Sequence, residues 1–395
     1  MLRTLKILGA YLLISALIIN LAGCARDNGN GMQQPLPKSI NVEEEKEYKV
    51  GVVLSENDLG ANNAVTAALI KANNTLNIEY RTLKAKELAT PEDSVRFLAE
   101  NDYDLVIGVG PGPSQAIDKL SGEYTDIKFA STEKVEQPNV AYYDFRYHEG
   151  GFLSGVLAAT LTKTERIAFV GGAENDLTRR YYSGFVQGVN YINTLQKRAD
   201  VPAEVQGSVY QGVYQPPRGN TTKFTSRDKK KKDLPKPLIK VNQVWVGYFN
   251  KAFNQPEKAK AVTLTQIDKG VDVIFQVAGR SGQGVLQAAG ERGVKVIGTG
   301  YNPKEKTTGL MITNVVQNLE EATLILLKDL KADKFRPGPL PLGLKENAIG
   351  LTTMEIVPEG KTWANPPNTG VQSEVVNLLG FLKEQISAGK IIIKG

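Results

Sequence analysis

The chain has 395 residues, of which 41% are hydrophobic and 23% are charged, and its formal net charge at pH 7 is +6. These values are typical of a globular protein, and so small a positive excess does not indicate a nucleic-acid partner. Cys24 is the only cysteine and His148 the only histidine, which excludes a disulfide framework and a metal site built from several histidines or cysteines.

The N-terminus has the pattern of an export signal. Arg3 and Lys6 precede an apolar run over residues 7–21, and Leu-Ala-Gly-Cys follows at residues 21–24. A basic start, an apolar stretch and small residues before a cleavage point are typical of a secretory signal. The last four residues resemble a lipobox, which predicts a lipoprotein signal peptide over 1–23, lipid on Cys24 and attachment to the outer face of a cell membrane. A plain signal peptide and an uncleaved anchor are the alternatives.

Residues 24–46 have no apolar periodicity and are rich in Asn, Gly, Pro and Glu, so we expect a flexible tether. From Tyr48 onward, short apolar runs alternate with segments of helical spacing. The runs predicted as strands in the first half are 50–54, 78–83, 103–109 and 127–130. Thr90-Pro91-Glu92-Asp93 predicts a capped helix start between the second and third of them.

The alternation resumes after a junction near Asp144. Predicted strands are 166–171, 244–249, 271–277, 294–298 and 310–315, with helices at 152–161, 181–192, 257–267 and 283–291. Two such runs predict an α/β protein with two doubly wound parallel-sheet lobes. Residues 194–242 interrupt this order with a proline-rich stretch and Lys229–Lys232, which predicts either a solvated insertion or a contact with an anionic surface.

Ligands of open parallel sheets bind beyond the carboxyl ends of the strands. The loops expected there carry glycines, side-chain amides, a few carboxylates and Phe253, a set that suits a flat, neutral, polar ligand such as a nucleoside or sugar. The glycines at 110–112 and 279–284 could cradle phosphate, but tight strand-to-helix turns explain them better. Phe253 could stack on a ligand or pack between the lobes.

The sequence gives little support for catalysis. His148 and Glu149 stand beside a predicted helix start, no second histidine can complete a relay, and no Gly-x-Ser-x-Gly motif occurs. We therefore predict no enzymatic activity, no cofactor and no metal.

Several ordered blocks resemble the basic membrane protein family. They are Glu149–Ala159 (EGGFLSGVLAA), Lys163–Gly172 (KTERIAFVGG), Gly184–Val189, Gly247–Phe249 with Phe253–Asn254, Gly270–Ile274, and Ala278–Gly279 with Gly282 and Gly284. The resemblance runs from about Tyr48 to the C-terminus. It implies a type I periplasmic-binding-protein fold in which two lobes close by a hinge on a purine nucleoside, which an ABC permease then imports.

The resemblance also implies domain boundaries and a ligand site. The first lobe would comprise 47–145 and about 279–312, and the second 146–278 and about 313–395, the latter with the 194–242 insertion. The residues expected to bind ligand are Asp58, Asn62, Glu133, Phe253, Asn254, Gly279, Tyr301 and Gln317.

Three family positions differ in this chain. Ala61 stands where the family has a stacking aromatic, Gly300 where it has a ribose-binding aspartate, and Gln317 where it has a lysine. Losing one ring stack removes about 1 kcal/mol of binding free energy, and losing a carboxylate that holds hydroxyls removes about 1.5–3 kcal/mol. The leading hypothesis is a lipid-anchored solute-binding protein for a nucleoside-like ligand; the alternative is a diverged sensor or surface interaction lipoprotein.

Overall fold

The computed structural model describes residues 47–199, 238–300, 311–352 and 373–395. The predicted signal peptide and tether, Cys24, Lys229–Lys232 and Tyr301 lie outside these ranges. Within the described ranges, no helix combines the length and apolar character needed to cross a membrane.

The described residues form twelve strands and nine α-helices. The strands are β1 Tyr48–Leu54, β2 Ile78–Lys84, β3 Leu105–Gly108, β4 Lys128–Ser131, β5 Val140–Phe145, β6 Arg166–Gly171, β7 Lys240–Trp245, β8 Val273–Val277, β9 Lys295–Thr299, β10 Met311–Gln317, β11 Gly338–Leu342 and β12 Ile349–Leu351. The helices are α1 Leu59–Leu76, α2 Pro91–Ala99, α3 Pro111–Leu120, α4 Tyr147–Leu161, α5 Asp176–Ala199, α6 Pro256–Asp268, α7 Gly282–Arg292, α8 Leu319–Lys331 and α9 Ser373–Ser387.

The strands form two six-stranded sheets. The first has the order β11-β5-β4-β3-β1-β2 and is parallel throughout, and the second has the order β12-β10-β9-β8-β6-β7. In the second sheet only β12 is antiparallel to its neighbour, β10. Each sheet has helices on both faces, α1 and α8 against α2 and α3 in the first, and α4, α5 and α9 against α6 and α7 in the second. The prediction of two doubly wound lobes is confirmed.

Burial explains why the strands were visible in the sequence. β3 and β8 are buried along their whole length because helices cover both faces of the sheet, so they appear as apolar runs, interrupted only by Gln276 in β8. The helix start predicted at Thr90 is also confirmed: Thr90 caps α2, and its side chain and that of Asp93 form a reciprocal capping box.

Three connections among the described residues cross between the lobes: Arg146 after β5, Asn318 after β10, and 343–348 after β11. They are hydrogen-bonded to one another, since Arg146 N–H donates to the Leu342 carbonyl (2.9 Å) and Asn318 N–H to the Ala348 carbonyl (2.8 Å). The crossovers therefore form one connected hinge region at the β11 and β12 end of the two sheets.

The crossovers correct the expected domain boundaries. Residues 279–300 belong to the second lobe, because β9 lies between β8 and β10 in the second sheet and α7 packs on that sheet. Conversely, α8 and β11 belong to the first lobe, although the sequence placed 313–395 in the second. The chain continues the βαβ order through β9 and β10 and returns to the first lobe only at Asn318.

One strand is shifted from its predicted position. The run VWVGYF predicts a strand over 244–249, but β7 ends at Trp245, and Tyr248 and Phe249 lie exposed in the loop that follows. β7 is an edge strand with no fully buried residue, so its own sequence, KVNQVW, lacks the apolar run that marks the central strands.

Candidate functional site

The strand order of each sheet marks a crevice for a ligand. In the first sheet the order reverses between β1 and β3, and in the second between β6 and β8, so the loops after these strands diverge to opposite faces. Such reversal points, at the carboxyl ends of parallel strands, are where doubly wound folds bind ligands.

A cavity of about 660 Å³ lies between the lobes. The first lobe contributes the starts of α1 and α8, and the second contributes the ends of β9 and β10. The polar side chains that line the cavity are Asp58, Asn63, Gln317, Asn318 and Glu320. Two carboxylates and three amides, with no basic side chain in this lining, fit the hydroxyl groups of a neutral ligand better than they fit an anion.

The loop before α1 is fixed by its own side chains. Asp58 caps α1, its Oδ1 accepting a hydrogen bond from Ala61 N–H (2.9 Å), and it remains exposed to the cavity. Asn62 donates from Nδ2 to the Ser55 carbonyl (2.7 Å) and accepts from Ser55 N–H at Oδ1 (2.9 Å). Both functions of the Asn62 amide hold the loop, so the amide of α1 that lines the cavity is Asn63, which the sequence analysis did not select.

Glu133 lies on the loop after β4, near Asp58. Burial raises the pKa of the Glu133 carboxyl, and the negative charge of Asp58 raises it further. The loop is held by Ser131, whose Oγ donates to the Glu133 carbonyl (2.7 Å) and accepts from Glu133 N–H (3.1 Å). Two neighbouring carboxyl groups of the first lobe, Asp58 and Glu133, therefore lie at the carboxyl ends of its strands, where they could accept hydrogen bonds from ligand hydroxyls.

Tyr147, which the sequence analysis did not select, connects the two halves of the site. It is the first residue of α4, packs against the cores of both lobes, and accepts a hydrogen bond from Gln317 Nε2 at its hydroxyl (2.7 Å). Burial raises the pKa of Tyr147 to about 12, and the nearby charge of Glu133 adds to the shift. Gln317, the residue at the family's lysine position, thus lies both in the cavity lining and against this tyrosine.

An ion pair joins the lobes beside Tyr147. Arg180 of α5 contacts Asp144 of β5 at 2.9 Å, and its guanidinium lies 5.4 Å from the centre of the Tyr147 ring. His148 is half-buried next to this pair, and its Nδ1 is buried without a hydrogen-bond partner. Burial lowers the pKa of His148 to about 4, and the positive charges of Arg180 and Arg146 contribute. The imidazole of His148 is therefore neutral at pH 7 in the folded protein.

Phe253 occupies the reversal point of the second sheet. Its ring lies so close to Gly172, after β6, that any side chain at 172 would overlap it, and it also contacts Gly279, after β8. Gly279 has a φ of +55°, which favours glycine. Phe253 is half-buried, and Asn254 beside it is exposed. The ring therefore has one side seated on the second lobe and a part still open to solvent.

A smaller cavity, of about 350 Å³, lies within the second lobe and includes Gly279 and Gly300. Gln276 of β8 and Asn314 of β10 flank Gly298 of β9, and their side chains line this cavity. Sequence reasoning missed both amides, because each lies inside a predicted strand rather than in a loop.

Gly110 and Gly284, one from each glycine motif, make close contacts within the protein. Gly110 N–H donates to Thr132 Oγ1 (2.7 Å) and is not free for an anion. Gly284 lies against the Pro256 carbonyl, where α7 meets the start of α6. Both glycines serve turns and close packing, as the sequence favoured.

Comparison with known proteins adds a family. The family model Bmp, described as "ABC transporter substrate-binding protein PnrA-like", matches residues 49–211 and 236–390. A relative from Listeria monocytogenes named "CD4+ T-cell-stimulating antigen" is 23% identical over 377 residues, which cover 89% of this chain and 90% of the relative.

Another relative, from Lactococcus lactis, is named "ABC transporter nucleoside-binding protein BmpA" and is 24% identical, the match covering 70% of this chain and 63% of the relative. Among solved structures, an ABC transporter solute-binding protein from Conexibacter woesei superimposes with a TM-score of 0.57 at 19% identity, covering 88% of this chain and 98% of the other. This structural likeness confirms the periplasmic-binding-protein fold.

Proposed function

This chain belongs to the basic membrane protein family of ABC transporter substrate-binding proteins, and we propose that its ligand is a purine nucleoside or a close analogue. Membership of this family implies a small-molecule ligand, a permease partner and a place outside the cytoplasm. The observation that carries the finer proposal is the pairing of two surfaces: an aromatic ring at the reversal point of one lobe, and a cavity of carboxylates and amides between the lobes.

The two surfaces match the two parts of a nucleoside. The exposed part of the Phe253 ring offers a flat apolar contact for a base, since aromatic rings prefer stacked or edge contacts with one another. Asp58, Gln317 and Glu320 offer acceptors and donors for sugar hydroxyls. A lone sugar would leave the ring unused, and a lone base would leave the carboxylates without partners.

The family positions that differ predict a weaker or altered site. Ala61 is buried at the start of α1 and lines the cavity, so no ring from that position reaches a ligand. Gly300 also lines the cavity but carries no carboxylate. We propose that Glu133 and Tyr147, which lie close together beside this cavity, take over part of the hydroxyl binding.

We further propose that the protein performs no covalent chemistry on its ligand. We also propose that lipid on Cys24 anchors the protein to the outer face of a cell membrane. Metabolic labelling with a clickable fatty acid tests the anchor: wild type is expected to label, and Cys24→Ser is expected not to. A Cys24→Ser variant that still carries the label would overturn the assignment of this residue.

The central experiment is calorimetric titration of the protein with adenosine, guanosine, inosine, uridine, ribose and free purine bases. We expect a purine nucleoside to bind and to be recovered unchanged. At 100 times its dissociation constant it should raise the free energy of unfolding by about 2.7 kcal/mol. Phe253→Leu keeps an apolar side chain on Gly172 but removes the ring, so it should weaken nucleoside binding by about tenfold with little loss of stability.

Each outcome has a definite meaning. Binding of ribose as tightly as of nucleosides, or a Phe253→Leu variant with wild-type affinity, would contradict a base contact at Phe253. If no compound of this panel binds, the nucleoside proposal fails, and the diverged sensor or interaction protein becomes the better hypothesis.

A further inference from the structure

Two adjacent aromatic side chains stand in solvent on the loop after β7. Tyr248 and Phe249 expose 81% and 83% of their surface, and within the described residues they are the only aromatic side chains among the strongly exposed large hydrophobic ones. Single exposed apolar residues are common, but two neighbouring rings this exposed on one short loop suggest a contact that is made only in a bound state.

The backbone of Phe249 is strained. Its φ is +58° and its ψ is 178°, a region that is essentially restricted to glycine. The conformation is held in place, because the Phe249 carbonyl accepts a hydrogen bond from Ala252 N–H (3.0 Å). A phenyl ring at this position thus combines two unfavourable features, and non-glycine residues in such backbone regions cluster at ligand clamps and switches.

The loop that carries the strained residue lies at the crevice between the lobes. β7 is the edge strand of the second sheet, at the opposite end from β10 and β12, where the chain crosses between lobes. The carboxyl end of β7 therefore lies on the side of the crevice away from the hinge, where two lobes can separate. Phe253 belongs to the same loop, since the short helix Asn250–Asn254 begins directly after Phe249.

Among the described residues, the first-lobe wall of the interlobe cavity has no aromatic side chain. The start of α1, which lines the cavity from the first lobe, presents Gly60, Ala61 and Ala64 there, and no aromatic residue lines that cavity. Within this cavity a ligand would therefore meet no aromatic side chain of the first lobe, whereas Phe249 has an exposed ring in the second lobe.

We propose that Phe249, with Tyr248 beside it, is an aromatic clamp that covers the ligand base seated on Phe253, so that the second lobe supplies both ring contacts. The proposal rests on the proposed function, because it requires a ligand with a flat aromatic ring. Phe249 is then a specificity-determining residue that selects for the base, while the interlobe cavity holds the sugar.

Two substitutions at one position separate the ring from the backbone strain. Phe249→Ala removes the ring but keeps a Cβ, so the backbone strain at this position remains. Phe249→Gly removes the ring and also relieves the strain, because glycine adopts this backbone conformation readily. We expect both variants to bind the purine nucleoside about tenfold more weakly than wild type, measured by calorimetric titration. We also expect Phe249→Gly to melt at a higher temperature than Phe249→Ala, the reverse of the usual order of these residues. Leu238→Ala is the matched control, since Leu238 is 43% exposed and precedes the amino end of the same strand.

The outcomes separate this inference from the proposed function. If wild type binds a purine nucleoside and both Phe249 variants bind it equally well, the clamp is refuted and the nucleoside proposal stands. If wild type binds no compound with an aromatic ring, both fail together. Weakening by Leu238→Ala to the same degree would also overturn the clamp, because the effect would then not be specific to the loop.

Discussion

Replacing His148 by glutamine is expected to make the stability of the protein less sensitive to acid. His148 is the only histidine in the chain, and histidine is the side chain whose ordinary pKa lies between pH 5 and 8. In the folded protein burial lowers the pKa of His148 to about 4 from an ordinary value of 6.5. Between these two values the unfolded chain binds a proton that the folded chain does not, so stability must fall as the pH falls through this range.

The size of the effect follows from the two pKa values. Above pH 6.5 the histidine is neutral in both states, and its stabilising contribution is fully present. Lowering the pH from 7 to 5 should remove about 2 kcal/mol of the free energy of unfolding, and about 3 kcal/mol should be lost by pH 4. Glutamine at 148 does not titrate, so the variant should lack this loss.

Two measurements test the reasoning. Urea unfolding of wild type and His148→Gln from pH 7.5 to pH 4.5 gives the difference in stability, in which carboxyl groups common to both proteins cancel. Proton NMR of the single imidazole gives its pKa in the folded state directly. Parallel stability profiles, or an imidazole that titrates between pH 6 and 7, would show that His148 is not held neutral by burial and the neighbouring arginines.

The remaining predictions concern charges near the cleft. Arg180→Gln removes a positive charge that lowers the pKa of His148, so the imidazole pKa should rise, and loss of the Asp144 ion pair should lower the free energy of unfolding by about 1 kcal/mol. The neighbouring, exposed Arg179 pairs with Glu174, so Arg179→Gln should change neither quantity, and an equal NMR shift in both variants would contradict the assignment. Glu133→Gln should raise the free energy of unfolding at pH 7, because ionisation of a carboxyl with a raised pKa is unfavourable in the folded state. That gain should fade below about pH 4.5 in urea unfolding, whereas a gain that is the same at every pH would point to packing instead.

The central strands could be predicted from the sequence, and the family resemblance could be recognised in it. β3 and β8 are covered on both faces, so each appears as an apolar run, interrupted only by Gln276 in β8. The edge strands β11 and β12 were harder to predict than the edge strand β2, which the sequence showed as a run over 78–83. β11 has the sequence GPLPL and β12 has three residues, and neither was predicted as a strand, because prolines are tolerated at an edge that needs few ladder hydrogen bonds.

The candidate site was predicted only in part. Asp58, Glu133, Phe253 and Gln317 were selected from the resemblance and lie at the loops or strand ends that border the cleft, whereas Asn62 proves to hold the loop rather than line the cavity. Tyr147 was not selected, since nothing in the local pattern around residue 147 shows that a chain crossover will bring its hydroxyl to Gln317, 170 residues away.

The sequence alone therefore determined what depends on local pattern: alternating strands and helices, the capped start of α2, and membership of a family through ordered motifs. The tertiary structure decided to which lobe each segment after β8 belongs and which amide of α1 lines the cavity. It also decided that the aromatic residues after β7 are exposed to solvent instead of extending a strand. These outcomes depend on pairings between residues far apart in the chain. A single sequence carries no record of such pairings, because a strand's partner and a side chain's neighbours are set by how the elements pack rather than by the residues beside them.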